Sequence, residues 1–302
     1  MLAEMRGAAR MIDQQQKIRE NKARAQELCS MALETANELF DTGDLSPYLS
    51  VLSRLHWYNY FNLLLILRQY PTATHLAAYN TWKEMIPPGE WILKQEHKGK
   101  GIELIAPWTN LQPQGTRSLS WYSFKQFDVA QTNVKNFVPE KGIYLEGPPH
   151  VFQMCESLRR VLDDEHEIVV LRDQMQSQPD LPGYIKDKRL YIRPGLTDAE
   201  QIQLLSEHLI RQTNPETVTG ERHLRTFLLM AQHCLLQIWG IPGPPLIQNR
   251  DLIRSTPADL RPAFLDLMQR TVRHIEESAH SKYMEILQAE KEEKALLDWT
   301  SL

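Results

Sequence analysis

The chain has 302 residues and a mass of 35.2 kDa, enough for two modest domains or one domain with helical additions. Its 42% hydrophobic and 24% charged residues argue against wholesale disorder, and its net charge of −4 argues against a strongly electrostatic nucleic-acid binder. The longest apolar run, residues 63–67, is far too short to span a bilayer. With three scattered cysteines and no apolar signal-type core near its start, the sequence predicts a cytoplasmic protein without a membrane partner.

Two helices are predicted in the first 70 residues. Apolar residues spaced three or four apart over 11–40 predict an amphipathic helix closed by Gly43, within an N-terminal helical arm of residues 1–45. A second helix is predicted from Pro47 to Tyr70, because Pro71 disfavours helical backbone in the residue before it.

Short β-favouring pieces follow, with turn-forming sequences between them. The pieces are WIL at 91–93, GIELIAPW at 101–108, SLSWYSF at 118–124 and FDVAQT at 127–132. PPGE, HKGKG and QPQG separate them and have the composition of turns. This pattern predicts a small, mostly antiparallel sheet with helices in a domain of residues 46–135, followed by a linker over residues 136–150.

A second unit is predicted over residues 151–245. The helix VFQMCESLRRVL precedes the strand HEIVVLR, and GYIKDKRLYIRPG predicts a hairpin that turns at Lys186 and Asp187. Thr197 and Glu200 have the spacing of a capping box, which predicts a helix beginning there.

Two further helices are predicted, from Glu221 to Ile238 and, within a C-terminal extension of residues 246–302, from Pro257 onward. The predicted fold class is therefore α+β, with a long C-terminal helix. The first and last helices either pair with a protein partner or pack onto their own chain, and the sequence leaves both uses open.

Residues 53–132 concentrate aromatic and basic side chains. They hold 13 of the chain's 25 aromatic residues and five of its seven tryptophans. They carry eight Lys and Arg against five Asp and Glu, whereas residues 133–302 have a net charge of −5. Aromatic rings stack on any base and basic side chains follow phosphates, so this section is the candidate for binding single-stranded nucleic acid.

The candidate contacts in this section are rings for stacking and cations for the phosphates. The rings are Tyr58, Tyr60, Trp82, Trp121 and Tyr122, and the cations are Arg54, Arg68, Lys83, Lys98 and Lys100. A small domain of sheet and helices also uses Trp and Tyr as core, so composition alone leaves the choice between surface and core open.

The string SRLHWYNYFNLLLILRQYPTATHLAAYNTWKEM, residues 53–85, is similar to the N-terminal domain of the ArdC-type antirestriction proteins. In that family a helix with Tyr-Ser-x-x-N-x-x-L-I is followed by P-x-A-T and then by G-(Y/F)-x-T-W. The matching positions here are Tyr58, Asn62, Leu65, Ile66, Pro71, Ala73, Thr74, Tyr79, Thr81 and Trp82. HKGKGIELIAP and FDVAQT are similar to two later strings of the family, in the same order.

The resemblance implies a domain that binds single-stranded DNA with little sequence preference and is carried on conjugative or other mobile elements. The positions that carry over most directly are Tyr58, Asn62, Trp82 and Lys100. The alternative role for Asn62 is to bond a neighbouring loop from its position on the helix. The motif glycine is Ala78 here and the basic loop is rewritten, so the loop is displaced or reshaped.

The second unit is similar to the zincin-like metallopeptidase domain that often follows in this family. Its HExxH motif places two zinc-binding histidines on one helical face, and the glutamate between them activates water. Here Ser206 and Ile210 occupy the histidine positions, Glu207 is retained, and the third ligand position falls near Leu229. The resemblance therefore implies a pseudo-metallopeptidase without a metal or catalytic residues.

The sequence accordingly predicts a sequence-nonspecific single-stranded DNA-binding protein of a mobile element, associated with antirestriction or conjugation, and not an enzyme. One alternative is a metallopeptidase with relocated ligands, rebuilt from His208, His223 and His233. The other alternative is a protein-interaction scaffold that uses the pseudo-peptidase domain. No two histidines in the chain lie four residues apart, which disfavours the peptidase.

Overall fold

The structure, a computed structural model, describes residues 2–111, 117–135, 137, 148–172, 181–213, 221–243, 246 and 249–300. The chain forms two compact units, residues 1–139 with 253–262 and residues 140–252 with 263–302. Helices and two small sheets make up the described residues, which confirms the α+β prediction. Most of the predicted linker, residues 136–150, lies outside the described residues.

The first unit combines helices with an antiparallel sheet. Its helices are α1 (Leu2–Thr42), α2 (Ser46–Leu55), α3 (Tyr60–Gln69) and α4 (Tyr79–Glu84). Its strands are β1 (Leu76–Ala77), β2 (Ile102–Leu111) and β3 (Arg117–Asp128), in the order β1-β3-β2. The predicted strand at 91–93 is wrong, since only an isolated bridge between Leu93 and Thr132 forms there.

Helix α1 ends where the sequence predicts. Gly43 has a φ of 69°, a left-handed conformation that glycine adopts without steric cost. Its N–H donates to the Phe40 carbonyl over 3.0 Å and that of Asp44 to the Leu39 carbonyl over 3.3 Å. These bonds satisfy carbonyls that the helix end would otherwise leave unpaired. The predicted closure at Gly43 is therefore confirmed.

The predicted single helix from Pro47 to Tyr70 is wrong, because the chain turns between α2 and α3. Asn59 has an extended backbone, and its side-chain oxygen accepts from the N–H of Asn62 over 2.9 Å. Asparagine at this position is a strong helix N-cap, so a new helix begins after it. The turn at residues 56–59 places Trp57 and Tyr58 outside both helices.

The remaining helices and strands in the described part of the chain are five α-helices and three strands. The helices are α5 (Pro148–His166), α6 (Asp198–Thr213), α7 (Glu221–Ile238), α8 (Arg250–Arg254) and α9 (Arg261–Thr300). The strands are β4 (Val169–Arg172), β5 (Gly183–Lys186) and β6 (Arg189–Ile192). Strand β6 lies in the centre, parallel to β4 and antiparallel to β5.

Local turn chemistry accounts for two shifts from the predicted boundaries. The hairpin turns at Asp187 and Lys188, both with positive φ, and not at Lys186, which pairs with Arg189 in the sheet. The long last helix begins at Arg261 and not at Pro257, because residues 257–260 form a turn.

The capping box that the sequence predicts at the start of α6 is confirmed. The Glu200 carboxylate accepts from the Thr197 N–H over 2.8 Å, and the Thr197 hydroxyl accepts from the Glu200 N–H over 3.3 Å. Each side chain thus satisfies a backbone donor of the first helical turn. Among the described residues, no helix combines the length and apolar character that crossing a bilayer requires.

Candidate nucleic-acid interface and the degenerate peptidase motif

Asp128 joins two of the family-like strings in the first unit. This fully buried carboxylate accepts from the backbone N–H groups of Thr74 at 2.7 Å and His75 at 2.9 Å. It also caps the turn at 129–131, accepting from Ala130 N–H while Gln131 bonds back to the Asp128 N–H. PTAT and FDVAQT are therefore adjacent in space, and Asp128 stabilises the scaffold from inside.

Trp82 belongs to the core, so its predicted role as a stacking surface is wrong. Its side chain is 1% exposed, and its indole N–H donates to the Phe127 carbonyl over 2.8 Å. The ring also lies edge-on to Phe137, with centroids 5.4 Å apart. A base cannot reach either face of a buried ring, and the polar tip already has its partner.

Asn62 is also internal, and its predicted contact with nucleic acid is corrected. Its carboxamide donates to the Ile105 carbonyl and accepts from the Ile105 N–H, each over 2.9 Å. Two turns later, Gln69 makes the same pair of bonds with Glu103, again over 2.9 Å. Helix α3 therefore supplies the backbone of edge strand β2 with the partners that a further strand would provide.

Asn21 of α1 does the same on the opposite side of the hairpin. It donates to the Ser123 carbonyl and accepts from the Ser123 N–H, each over 2.9 Å. Ser123 lies directly opposite Ile105 in the register of β2 and β3. One rung of the hairpin is thus held from both edges by asparagine side chains.

Tyr58 is half-buried and is engaged inside the first unit. Its hydroxyl donates to the Gln126 side-chain oxygen over 2.6 Å, and burial raises the pKa of this phenol to about 12. The ring lies 6.2 Å from that of Trp57. These contacts give Tyr58 a part in supporting the turn at residues 56–59, and its role in stacking stays a prediction.

The predicted phosphate contacts Arg54 and Arg68 are also occupied. Arg54 donates to the carbonyls of Ala73, over 3.0 Å, and Pro71, over 2.6 Å, so it holds the PTAT loop. Arg68 pairs with Glu38 at 2.6 Å beside a groove of about 430 Å³ that Asp44 also lines. Acidic residues around this groove disfavour a phosphate at Arg68, and the backbone carbonyls already occupy Arg54.

Tyr60, Trp121 and Tyr122 remain at the surface. The Tyr60 and Phe61 rings have centroids 4.3 Å apart, and Phe61 lies 6.3 Å from Trp121. Tyr122 is 38% exposed, and its ring is 5.9 Å from that of Phe124. Since neighbouring strand residues point to opposite faces, Trp121 and Tyr122 lie on different faces of the hairpin. The structure thus brings Tyr60 and Trp121 together and separates Tyr122 from them.

The most exposed aromatic ring is one that the sequence did not select. Trp91 has a side chain that is 75% exposed, the highest among the large hydrophobic residues that the structure describes as exposed. The Lys98 ammonium lies over its ring, 5.0 Å from the centroid. Lys83 and Lys100, two of the predicted cations, are exposed as well. Residues 87–100, here called the Trp91 loop, therefore combine an exposed ring with exposed cations.

Backbone bonds hold the Trp91 loop in place. The N–H of Lys94 donates to the Gln131 carbonyl, and the N–H of Asn133 donates to the Ile92 carbonyl, each over 3.0 Å. The Asn133 side chain donates to the Trp91 carbonyl over 2.8 Å. The loop is thus anchored through the backbone of Trp91 and its neighbours. The sequence signal for Trp91 was its position between PPGE and the basic KQEHKGKG, which the predicted strand at 91–93 obscured.

The degenerate peptidase positions lie on α6 and α7. Ser206 is fully buried, and its hydroxyl donates to the Gln203 carbonyl over 2.9 Å and lies 3.3 Å from the Gln232 amide. Ile210 is 1% exposed and offers no donor atom. These side chains do not fit a zinc ion, since neither ligand position presents an imidazole to the helix surface.

Glu207 and Leu229 line one groove of about 410 Å³ between α6 and α7, together with Arg211, Leu224, Arg225, Leu228 and Gln232. The Glu207 carboxylate accepts from Arg211 at 2.8 and 3.1 Å, so it is engaged in an ion pair. Glu207 and Leu229, two positions of the degenerate motif, thus line the same groove. An ion pair and leucine side chains stand where a metal site would need donors.

The relocated zinc site receives no support from geometry. Within the described residues, no group of three or more His, Cys, Asp and Glu side chains could hold a metal ion. Burial lowers the pKa values of His208 and His233, which places both side chains in a partly desolvated environment. His208 and His233 are thus partly buried side chains of α6 and α7, and neither belongs to a cluster of metal-binding residues in the described part of the chain.

No protein-family model and no curated protein matches the chain. Among solved structures, it is similar to the metal-free crystal structure of the antirestriction ArdC protein from plasmid R388, with a TM-score of 0.45 and 12% identity over 83% of this chain and 97% of that one. The Mn(II)-bound structure of the same protein gives a TM-score of 0.40 and 14% identity over 72% and 84% of the two chains. Both are structures of the family that the motifs of residues 53–132 resemble.

Proposed function

We propose that this protein binds single-stranded DNA without sequence preference, through the Trp91 loop, in the service of an antirestriction or conjugation system. The observation that carries the proposal is the exposure of Trp91 beside Lys98, since folding places this large ring in water. The resemblance of residues 53–132 to ArdC-type proteins supports the choice of polymer and of biological role.

Stacking is the proposed source of affinity. A base stacked on an aromatic side chain contributes about 1–3 kcal/mol, whatever its identity, because every base has a π-face. A ring that is 75% exposed can accept a base without prior unfolding. The backbone bonds to residues 131–133 hold the loop in place, which lowers the entropy lost on binding.

Exposed lysines supply the electrostatic part. Lys98 lies over Trp91, and Lys83 and Lys100 are exposed residues that precede β2 in the chain. Each phosphate that a lysine neutralises on a single strand contributes about 0.7 to the slope of log K against log salt. Three lysines therefore give a slope of about −2. Because the whole chain has a net charge of −4, the rest of the surface does not add to this attraction for phosphates.

The surface rings Tyr60 and Trp121 are a second proposed stacking point in the first unit. They approach through Phe61, which lies within 6.3 Å of each. Their partial exposure gives them a smaller contribution than that of Trp91. This ranking makes the Trp91 loop the first target of any test.

The test is a titration of the full chain with a fluorescein-labelled oligo-dT at several salt concentrations from 50 to about 300 mM, followed by anisotropy. We expect saturable binding that weakens with salt, and a shallower slope for Lys98→Gln with Lys100→Gln. Lys22→Gln, an exposed lysine on α1, serves as the charge control. The proposal would be contradicted if no binding occurred at 50 mM salt, or if the affinity did not change between 50 mM and about 300 mM salt.

A further inference from the structure

Among the described residues, one face of the β5–β6 hairpin is packed against a helix and the other is exposed. On the covered face, Leu190 and Ile192 are buried. Gly183 shares that face, where an added Cβ would lie 2.6 Å from a methyl group of Leu204 on α6. Helix α6 therefore packs against this side of the sheet, and glycine is needed for its close approach.

Along both strands, the residues of the opposite face alternate with the residues that face α6. Tyr184 lies opposite Tyr191, and Lys186 lies opposite Arg189, so these four side chains point away from α6. Val169 and Leu171 of β4 share this face through their pairing with β6, and they are 45% and 36% exposed. The sheet thus presents an apolar and aromatic surface with two cations.

The two tyrosine rings form a parallel stack. Their centroids are 5.1 Å apart and their planes differ by 16°. A parallel pair offers an outer ring face on which a further flat ring continues the stack. Lys186 and Arg189 are both exposed and lie on the same face, two residues along each strand from the tyrosines.

The local charge of the hairpin opposes that of its surroundings. Residues 183–193 carry four Lys and Arg against one Asp, although residues 133–302 as a whole have a net charge of −5. Lys188 is engaged by Glu167, whereas Lys186 and Arg189 lie opposite each other on the tyrosine face. Clustered cations beside aromatic rings match a polyanion that carries flat bases.

We infer that this face, defined by Tyr184, Lys186, Arg189 and Tyr191, is a second contact surface for single-stranded DNA, in the unit that resembles a peptidase. The inference rests on the proposed function and extends it, because it gives the second unit a share in nucleic-acid binding. Bases stack on the tyrosine pair, and the phosphates between them meet Lys186 and Arg189. The α6–α7 groove takes no part.

The first experiment measures the salt dependence of oligo-dT binding for Lys186→Gln combined with Arg189→Gln. Loss of two phosphate contacts should make the negative slope of log K against log salt shallower by about 1.4. Lys291→Gln combined with Lys294→Gln removes the same charge from the exposed side of α9 and is the matched control. A slope equal to that of the control overturns the inference.

The second experiment locates the contacts by photocross-linking the full chain to an oligo-dT that carries 5-iododeoxyuridine, followed by peptide mapping. Cross-links at Tyr184 or Tyr191 support the inference, and Tyr184→Leu with Tyr191→Leu abolishes them. Cross-links confined to the Trp91 loop overturn it and leave the proposed function intact. An absence of any oligonucleotide binding overturns both, and an acidic protein partner then becomes the ligand to test.

Discussion

Asn21 and Asn62 hold the same rung of the β2–β3 hairpin from its two opposite edges. Asn62 pairs with both backbone groups of Ile105, and Asn21 pairs with both backbone groups of Ser123, all four bonds being 2.9 Å long. Since Ile105 and Ser123 face each other in an antiparallel pair, their N–H and C=O groups point outward at this rung. Two helices thereby complete the hydrogen bonding of a two-stranded ribbon.

Replacing Asn62 with alanine should destabilise the first unit by about 2–4 kcal/mol, because a buried N–H and a buried C=O of Ile105 lose their partners. Guanidinium denaturation followed by tryptophan fluorescence measures the loss. Asn80→Ala, at an exposed position of α4, is the control and should change the free energy of unfolding by less than about 0.5 kcal/mol. A variant of Asn62 with unchanged stability and weakened DNA binding would restore it to the interface.

Trp91→Ala should weaken oligo-dT binding by about 5- to 150-fold, corresponding to the loss of one stacked base, and leave stability nearly unchanged. Anisotropy titration at 50 mM salt measures the affinity. Phe152→Ala removes another exposed ring, 56% exposed on α5, and should bind as the unmodified chain does. Equal affinities for the two variants would exclude Trp91 from the interface.

Trp82→Ala should have the opposite profile to Trp91→Ala. Removing a fully buried indole leaves a cavity and removes its hydrogen bond to the Phe127 carbonyl, so we expect a loss of about 3–5 kcal/mol in unfolding free energy. Measured well below its melting temperature, the variant should keep its oligo-dT affinity. A stable Trp82 variant that fails to bind would contradict the assignment of this ring to the core.

Stability should depend on pH through Glu103. Burial disfavours its charge, but hydrogen bonds and charges from Arg24 and Lys125 dominate and hold the pKa of Glu103 below its usual range. A carboxyl with a lowered pKa stabilises the fold above its unfolded pKa, about 4.3, and this contribution is lost as the pH falls through the folded value.

Glu103→Gln should therefore cost about 1 kcal/mol at pH 7, a small value because the pair is partly exposed. The difference from the unmodified chain should shrink below about pH 4. Denaturant unfolding at pH 7 and pH 3 measures it, and Glu34→Gln, exposed on α1, should show no such change. A stability difference between the two chains that is larger at pH 3 than at pH 7 would contradict a lowered pKa of Glu103.

The chain purified without chelators should contain less than about 0.2 zinc per molecule, since Ser206, Ile210 and Leu229 cannot replace three strong ligands. Elemental analysis by mass spectrometry measures the content. Glu207→Gln breaks only an exposed ion pair, so it should alter neither zinc content nor stability by a measurable amount. Zinc near one per chain would instead favour a metallopeptidase with relocated ligands.

Features set by local chemistry were predictable from the sequence. The end of α1 at Gly43 and the capping box of Thr197 and Glu200 depend on residues close together in the chain, and both form as expected. The break between α2 and α3 was missed because apolar residues continue on both sides of it. Its signal was Asn59, a strong N-cap with a helix-forming run directly after it.

The candidate site was less predictable, because exposure is decided by contacts far along the chain. Trp82 is buried by Phe127, 45 residues later, and Trp91 projects from a loop that residues 131–133 anchor. Both are tryptophans near lysines in the sequence, and nothing in the composition distinguishes them. Similarity to family motifs selected Trp82 and Asn62, whose hydrogen bonds show them to be parts of the scaffold.

The internal role of Asp128 separates the residues that fold this unit from those of the proposed interface. Asp128 bonds to Thr74, His75 and Ala130, so almost any substitution there disturbs two loops at once. The Trp91 loop has no such constraint on its exposed side chains. The exposed side chains of that loop can therefore be replaced without disturbing the hydrogen bonds of Asp128, so the proposed interface can change while the framework strings stay the same.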